Sequence, residues 1–246
     1  MKGKPIVLAV ILIFAALLIG FLLCAPRARI ATKEPVAPEP PKITLPFKTG
    51  DKISYEVTFN GLKAGNIDFE YKGRNDNLDL VIVTNKINVL NIFQIDSTES
   101  IYIDVYTCLP RRVERQVVFF GKQEYIVEEY NQKDGWVNIM QEKDGKVNNK
   151  LIPQKPPIHN SHSLFFVYPL GLEDKIGASL DFNLPLEKVN IRVKELRKVA
   201  TKDGEKEFYV LEVSPKKIIL ELDKEKRLPL RLQMPALWSK LVITRK

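Results

Sequence analysis

The sequence predicts a mainly β protein. It expects one antiparallel, strongly curved sheet, forming an open barrel or sandwich with one short helix near 161–168, preceded by an N-terminal transmembrane helix. Three observations carry this. From Ile53 onward, apolar and polar residues alternate with a period of two, which gives each strand one buried and one wet face. Turn signals such as Asn60-Gly61, Asn75-Asp76-Asn77, Asp134-Gly135 and Asp144-Gly145 punctuate the chain, at spacings of about 8–12 residues typical of antiparallel sheets and barrels. Pro5–Pro26 is a 22-residue run without a charge.

The elements follow in order. Residues 1–4 form a short basic N-terminus, and 5–26 read as a signal anchor. As a helix that run spans about 33 Å, enough for a bilayer core of about 30 Å. Cleavage after Ala25 would set Leu23 at −3 and Pro26 at +1, a poor site, so retention is favoured over removal. A second reading lipidates Cys24, although Leu23 is bulky for that motif. Residues 27–46 hold Pro35, Pro38, Pro40, Pro41 and Pro46 and read as an extended, semi-rigid linker. Residues 47–246 form the exported β domain.

Within that domain, Ile53, Tyr55, Val57 and Phe59 alternate with polar neighbours. A second strand is expected from near Gly65, then Leu78–Thr84, Ile101–Val105, Val113–Phe120, Lys122–Tyr130, Trp136–Lys143 and Lys146–Ile152. Pro153, Pro156 and Pro157 break the pattern, and Asn160 or Ser161 is placed to cap a short helix ended by Pro169. Strands resume at Ser179–Leu184, Val189–Val199, Glu207–Ser214, Lys217–Asp223, Leu228–Met234 and Trp238–Thr244. About a dozen strands result, with no internal repeat.

Composition narrows the function. The net charge of +8 divides evenly, +4 in residues 1–46 and +4 in the other 200. A dense basic stripe with interleaved aromatics is missing, which argues against nucleic acid. The two cysteines, Cys24 and Cys108, stand too differently to pair, and a domain this long needs no disulfide. Cys108 has no histidine near it in sequence, as a nucleophile would require.

The chemistry-bearing residues are few. His159 and His162, spaced i,i+3, would need a third ligand such as Glu173 or Asp174 to hold zinc. Asp96, Glu99 and Asp104 lie on or beside one strand, but Glu99 and Asp104 have opposite strand parity and should face apart. No catalytic, metal or cofactor residue is therefore assigned. The stretch Leu164-Phe165-Phe166-Val167-Tyr168 is apolar nearly all round. Leu164, Phe165, Phe166 and Tyr168 are expected to plug the curved sheet or to line a hydrophobic cavity.

Several stretches resemble the bacterial domain-of-unknown-function 3108 family. Phe47-Lys-Thr-Gly50-Asp51-Lys-Ile-Ser-Tyr55-Glu-Val57, followed by Asn60-Gly61-Leu-Lys-Ala64-Gly65, is similar to its opening. Asp96-Ser-Thr-Glu99-Ser100 with Leu109-Pro110-Arg111, then Asn160-Ser-His-Ser163-Leu-Phe-Phe166, then Val213-Ser-Pro215 through Arg227-Leu228-Pro229-Leu230, resemble its later segments. Asn160 stands where the family pattern has Asp. The resemblance covers about residues 47–235. It implies an exported bacterial β-rich protein and brings no activity with it.

The expected localisation is the bacterial inner membrane, crossed once, with the C-terminal domain in the periplasm; lipidation at Cys24 is the alternative. The expected role is a non-catalytic binding module for a lipid-like ligand or an envelope partner. The alternatives are a hydrolase acting on envelope glycan and a structural assembly partner.

Overall fold

The computed structural model describes residues 45, 47–89, 93–166, 175–201, 204–236 and 239–246. The run at 5–26 and all of the proline-rich segment except Leu45 lie outside them. Among the described residues no helix is long and apolar enough to cross a membrane.

Among the described residues fourteen strands form one sheet: β1 Lys52–Phe59, β2 Leu62–Asn75, β3 Leu78–Val89, β4 Phe93–Asp104, β5 Pro110–Phe119, β6 Lys122–Asn131, β7 Trp136–Lys143, β8 Lys146–Pro153, β9 Ser179–Asn183, β10 Lys188–Thr201, β11 Gly204–Ser214, β12 Ile218–Asp223, β13 Pro229–Ala236 and β14 Ser239–Arg245. One helix, α1 (Ser161–Phe166), lies between β8 and β9. The spatial order is β8-β7-β6-β5-β4-β3-β2-β1-β14-β13-β12-β11-β10-β9. The chain thus makes two meanders, and β1 pairs antiparallel with β14 to join them.

The sheet stays unclosed but curls. Laid flat, fourteen strands would span roughly 60 Å. Instead the segment leaving β8 meets β9 at the opposite edge. Gln154 Nε2 donates to the Leu184 carbonyl at 2.7 Å, and Ile158 forms a parallel bridge with Asn183. Gln132, in the β6–β7 turn, exchanges two hydrogen bonds with Ile158, at 2.8 and 2.9 Å.

The period-two pattern accounts for the core. On β1, Tyr55, Val57 and Phe59 are buried, while Ser54, Glu56 and Thr58 are partly exposed. One apolar cluster joins Val83, Ile101, Ile103, Val113 and Val137 across β3, β4, β5 and β7, with Leu45 added from before β1. A second joins Val193, Leu211, Leu220 and Leu222 to Leu164 of α1. A third, smaller cluster lies at the β1–β14 seam.

Two expectations need correction. β2 starts at Leu62 rather than near Gly65. Asn60 and Gly61 both take left-handed φ, +50° and +78°, which closes a two-residue hairpin turn. A bulge opposite Val57 and Thr58 then absorbs the extra residue, Ala64. β4 starts at Phe93, eight positions before Ile101. The polar run 96–100 concealed it, because the buried positions Ser97 and Glu99 are satisfied by side chains of neighbouring elements: Asn85 donates to Ser97 Oγ at 3.0 Å, and Glu99 is ion-paired.

One turn conformation recurs. The β4–β5 and β12–β13 connections are the same turn, 119 positions apart. Asp104 Oδ1 accepts the backbone N–H groups of Tyr106 and Thr107, and Asp223 Oδ1 accepts those of Glu225 and Lys226. The Cys108 N–H bonds the Asp104 carbonyl, and the Arg227 N–H bonds the Asp223 carbonyl. Cys108 and Arg227 share a φ of +54°. Pro110 opposes Ile103 and Pro229 opposes Leu222, each beside a register shift. Apart from the frame Asp-x4-Leu-Pro the two segments differ in residue type, which is too little for a sequence to disclose.

Candidate functional site

Antiparallel register sets the site. Glu99 on β4 lies directly opposite Arg115 on β5, and paired residues share a face. Both take core parity, Glu99 next to Ile101 and Arg115 between Val113 and Val117. Glu128 and Tyr130 occupy the same face of β6, two positions apart. The result is a charged cluster within an apolar wall, with Glu99 fully buried.

The bonding is continuous. Arg115 Nε donates to Glu99 Oε2, and Arg115 Nη1 lies 3.6 Å from Glu128 Oε1. The Tyr130 hydroxyl donates to Glu128 Oε2 at 2.5 Å. His162 of α1 brings Nδ1 to 2.8 Å from Glu99 Oε1. An ionised carboxylate only accepts, so His162 carries its proton on Nδ1 at this contact. Burial alone would push Glu99 up, but Arg115 and then His162 outweigh it and hold the carboxyl down to about 2. Burial would lower Arg115, and the two glutamates raise it instead. Burial and then Glu128 raise Tyr130 well above its ordinary range.

α1 presents His162 because Asn160 caps it. Asn160 Oδ1 accepts the backbone N–H groups of His162 at 2.8 Å and Ser163 at 3.3 Å. The Ser163 hydroxyl turns back to the Asn160 carbonyl at 2.9 Å.

Beside this cluster runs an apolar groove. Its walls are Phe47, Ile53, Phe69, Val81, Ile101 and Ile103, with Asp51, Tyr71, His162 and Ser163 also lining it. Counted with its open mouth it measures about 430 Å³, but the groove is shallow, and its enclosed volume is only about 20 Å³, room for one water. Phe69 meets the His162 ring edge-on, with centroids 6.2 Å apart.

The residues singled out in the sequence divide as follows. Glu99 and His162 come together. Asp96 is exposed, on the other parity. Asp104 is held in its turn by Arg111, with Oδ2 at 2.8 and 3.0 Å from the guanidinium. His159 packs edge-on against Phe182 at 5.2 Å, and burial lowers it to about 4. The two histidines therefore serve different surroundings, and Glu173 and Asp174 lie outside the described residues. Among the described residues no three His, Cys, Asp or Glu side chains gather as metal ligands. Cys108 is buried. Leu164 is 2 % exposed in the second core cluster. Phe165 and Phe166 belong to α1, and Tyr168 is outside the described residues. Sequence reading missed Arg115 and Glu128, although each is a charge at a strand position whose parity predicts burial.

The fold and site define an open, barrel-like β protein with a buried ionic network beside a narrow apolar groove. The crystal structure of a β-barrel-like protein of domain of unknown function DUF1849 from Brucella abortus is similar, with a TM-score of 0.52 at 9% identity, over 83% of this chain and 97% of that one. At that identity the likeness is one of fold alone. The family model "protein of unknown function (DUF3108)" matches residues 54–244, and the chain belongs to that family. No curated protein matches the sequence.

Proposed function

We propose that this protein is a non-catalytic binding module of the bacterial envelope, anchored by the run at 5–26, and that its groove receives one acyl chain or a similar apolar segment. The observation that carries this is the groove itself: a mostly apolar trough with His162, Ser163, Tyr71 and Asp51 as polar contacts along it. A site of this composition suits an amphipathic ligand, whose body lies on the walls and whose polar atom reaches the imidazole. The groove is shallow, so the chain would lie along its open mouth, with only one side covered.

The buried network supports binding over hydrolysis. Both Glu99 oxygens are engaged, and its carboxyl is ionised far below neutral pH, so it is no general acid. Glu128 shares Arg115 with it. A glycan-cleaving pair needs one protonated carboxyl and room for the sugar between the two groups. Ser163 spends its hydroxyl on the helix cap and makes no nucleophile for His162.

The test is photolabelling of the full chain in bilayer nanodiscs with a diazirine fatty acid. Label is expected on β1, β2 and β3 peptides. It should be lost in Ile53→Glu, which puts a charge on a half-exposed groove wall, with the melting temperature retained. Label confined to residues 5–26 would overturn the proposal.

A further inference from the structure

The two edges of the sheet are not equivalent. Along β9 the strap that leaves β8 covers one end: Ile158 bridges Asn183, and the His159 N–H bonds the Asn183 carbonyl at 2.7 Å. β8 is the other terminal strand, and among the described residues no strand covers its outer side. The Asp144-Gly145 turn has left-handed φ of +49° and +72°, so Lys143 and Lys146 form a hydrogen-bonded pair. The ladder then runs to Pro153 without a register shift. Residues 148, 150 and 152 therefore bond β7, and Val147, Asn149 and Leu151 turn their N–H and C=O groups outward. The same three residues are exposed, Val147 at 59% and Leu151 at 63%. Between Lys146 and Ile152 no proline or bulge interrupts the strand, and these are common guards against edge pairing.

We infer that β8 pairs antiparallel with β8 of a second copy of this chain, about a two-fold axis at Asn149. The outward backbone groups sit symmetrically about that residue, so the reversed strand meets them in register. Val147 then stands opposite Leu151 of the second copy, and Asn149 opposite Asn149, with about six hydrogen bonds between the strands. On this face the exposed apolar side chains cover one another. On the other face Lys146 and Lys150 are the only charges of the strand. The register sets Lys146 against Ile152 and Lys150 against Asn148, so no lysine faces a lysine, an arrangement that would be destabilising. Moving the axis to Val147 or Leu151 shortens the paired stretch and parts Val147 from Leu151. This self-match selects a second copy over an unrelated strand. A single strand pair buries less than the roughly 1,200 Å² of a standard interface, so the dimer is weak and depends on concentration.

Disulfide trapping of the purified full chain in detergent tests this, in a Cys24→Ser background; Cys108 is buried and out of reach. Asn149→Cys should cross-link with itself under mild oxidation. Val147→Cys should not, because its two copies lie about 14 Å apart in this register, beyond the roughly 7 Å that a disulfide tolerates. A mixture of Val147→Cys and Leu151→Cys chains should form heterodimers. In sedimentation equilibrium, Asn149→Pro removes an outward N–H, and Val147→Lys with Leu151→Lys sets lysine against lysine. Each should weaken dimerisation at least tenfold, with the melting temperature retained. Three results would overturn the inference: a chain that stays monomeric, self-cross-linking of Val147→Cys as fast as that of Asn149→Cys, or undiminished dimerisation of the double lysine variant. The first would leave the edge to a different strand.

Discussion

His162 Nδ1 stands 2.8 Å from Glu99 Oε1, across 63 positions of sequence. This contact ties the only described helix to the wall of the sheet. It also completes the carboxylate's coordination, since Arg115 takes the other oxygen. The helix is short, and an isolated turn and a half has little stability of its own. The Asn160 cap, the His162–Glu99 contact and the burial of Leu164 hold it in place.

Glu99→Gln should destabilise the fold by about 2 kcal/mol, because the partly buried Arg115 guanidinium loses its nearest counter-charge. Urea unfolding at neutral pH measures this. The pH dependence has a definite sign. A carboxyl near 4.5 when unfolded and about 2 when folded contributes stability that is whole above 4.5 and lost as pH falls through 2. In Glu99→Gln that acid-limb loss should shrink. An unchanged profile would place the ionisation elsewhere.

His159 governs a different window. Unfolded it takes a proton near 6.5, and folded only near 4. The unfolded state therefore binds the extra proton between these values, and stability falls as pH drops from 6.5 towards 4, by up to about 3 kcal/mol. His159→Gln should flatten melting temperature against pH across that range. A slope equal to that of the unsubstituted protein would refute the assignment.

Gly65→Ala should cost about 3 kcal/mol or abolish soluble expression. A Cβ there would sit 2.0 Å from the Lys86 carbonyl oxygen and 2.8 Å from the Ile87 Cα. Both are backbone atoms of the paired strand and cannot step aside. Gly121→Ala is the control: nothing lies within 4 Å of its Cβ, and only its left-handed φ is strained, so about 1 kcal/mol is expected. Equal melting temperatures for the two variants would disprove the close approach.

The two Asp turns should respond unequally. Asp104→Ala strips a bidentate Arg111 and two backbone N–H groups, with a loss of about 2–3 kcal/mol. Asp223→Ala strips two backbone N–H groups and one long bond to Arg245, and should cost about 1 kcal/mol less. Denaturant midpoints of both variants, with unchanged m-values, measure the difference.

Much of the fold is legible in the sequence. Alternation in Ile53–Phe59, Val189–Val193 and Ile218–Leu222 names the buried faces, and Asn60-Gly61 and Asp144-Gly145 name the turns, because strand parity and left-handed φ are local properties. Pro110 and Pro229 begin their strands, as a residue without an N–H to donate should. The helix cap is local too, and Asn160 supplies it. These short-range rules determined the β class, most strand positions and the membership of the core.

The site was not legible in the same way. Glu99, Arg115 and Glu128 are separated in sequence, and only the register of β4, β5 and β6 sets their side chains on one face. His162 reaches Glu99 only because the strap between β8 and α1 crosses from one edge of the sheet to the other. Strand order, the β1–β14 seam and the recurrence of the Asp turn depend on pairings that no local pattern encodes. A hydrogen-bond ladder fixes which residues are opposite, and opposition across strands decides where buried charge can be matched. The sequence by itself determined which faces are apolar; the tertiary structure alone decided which charges meet there.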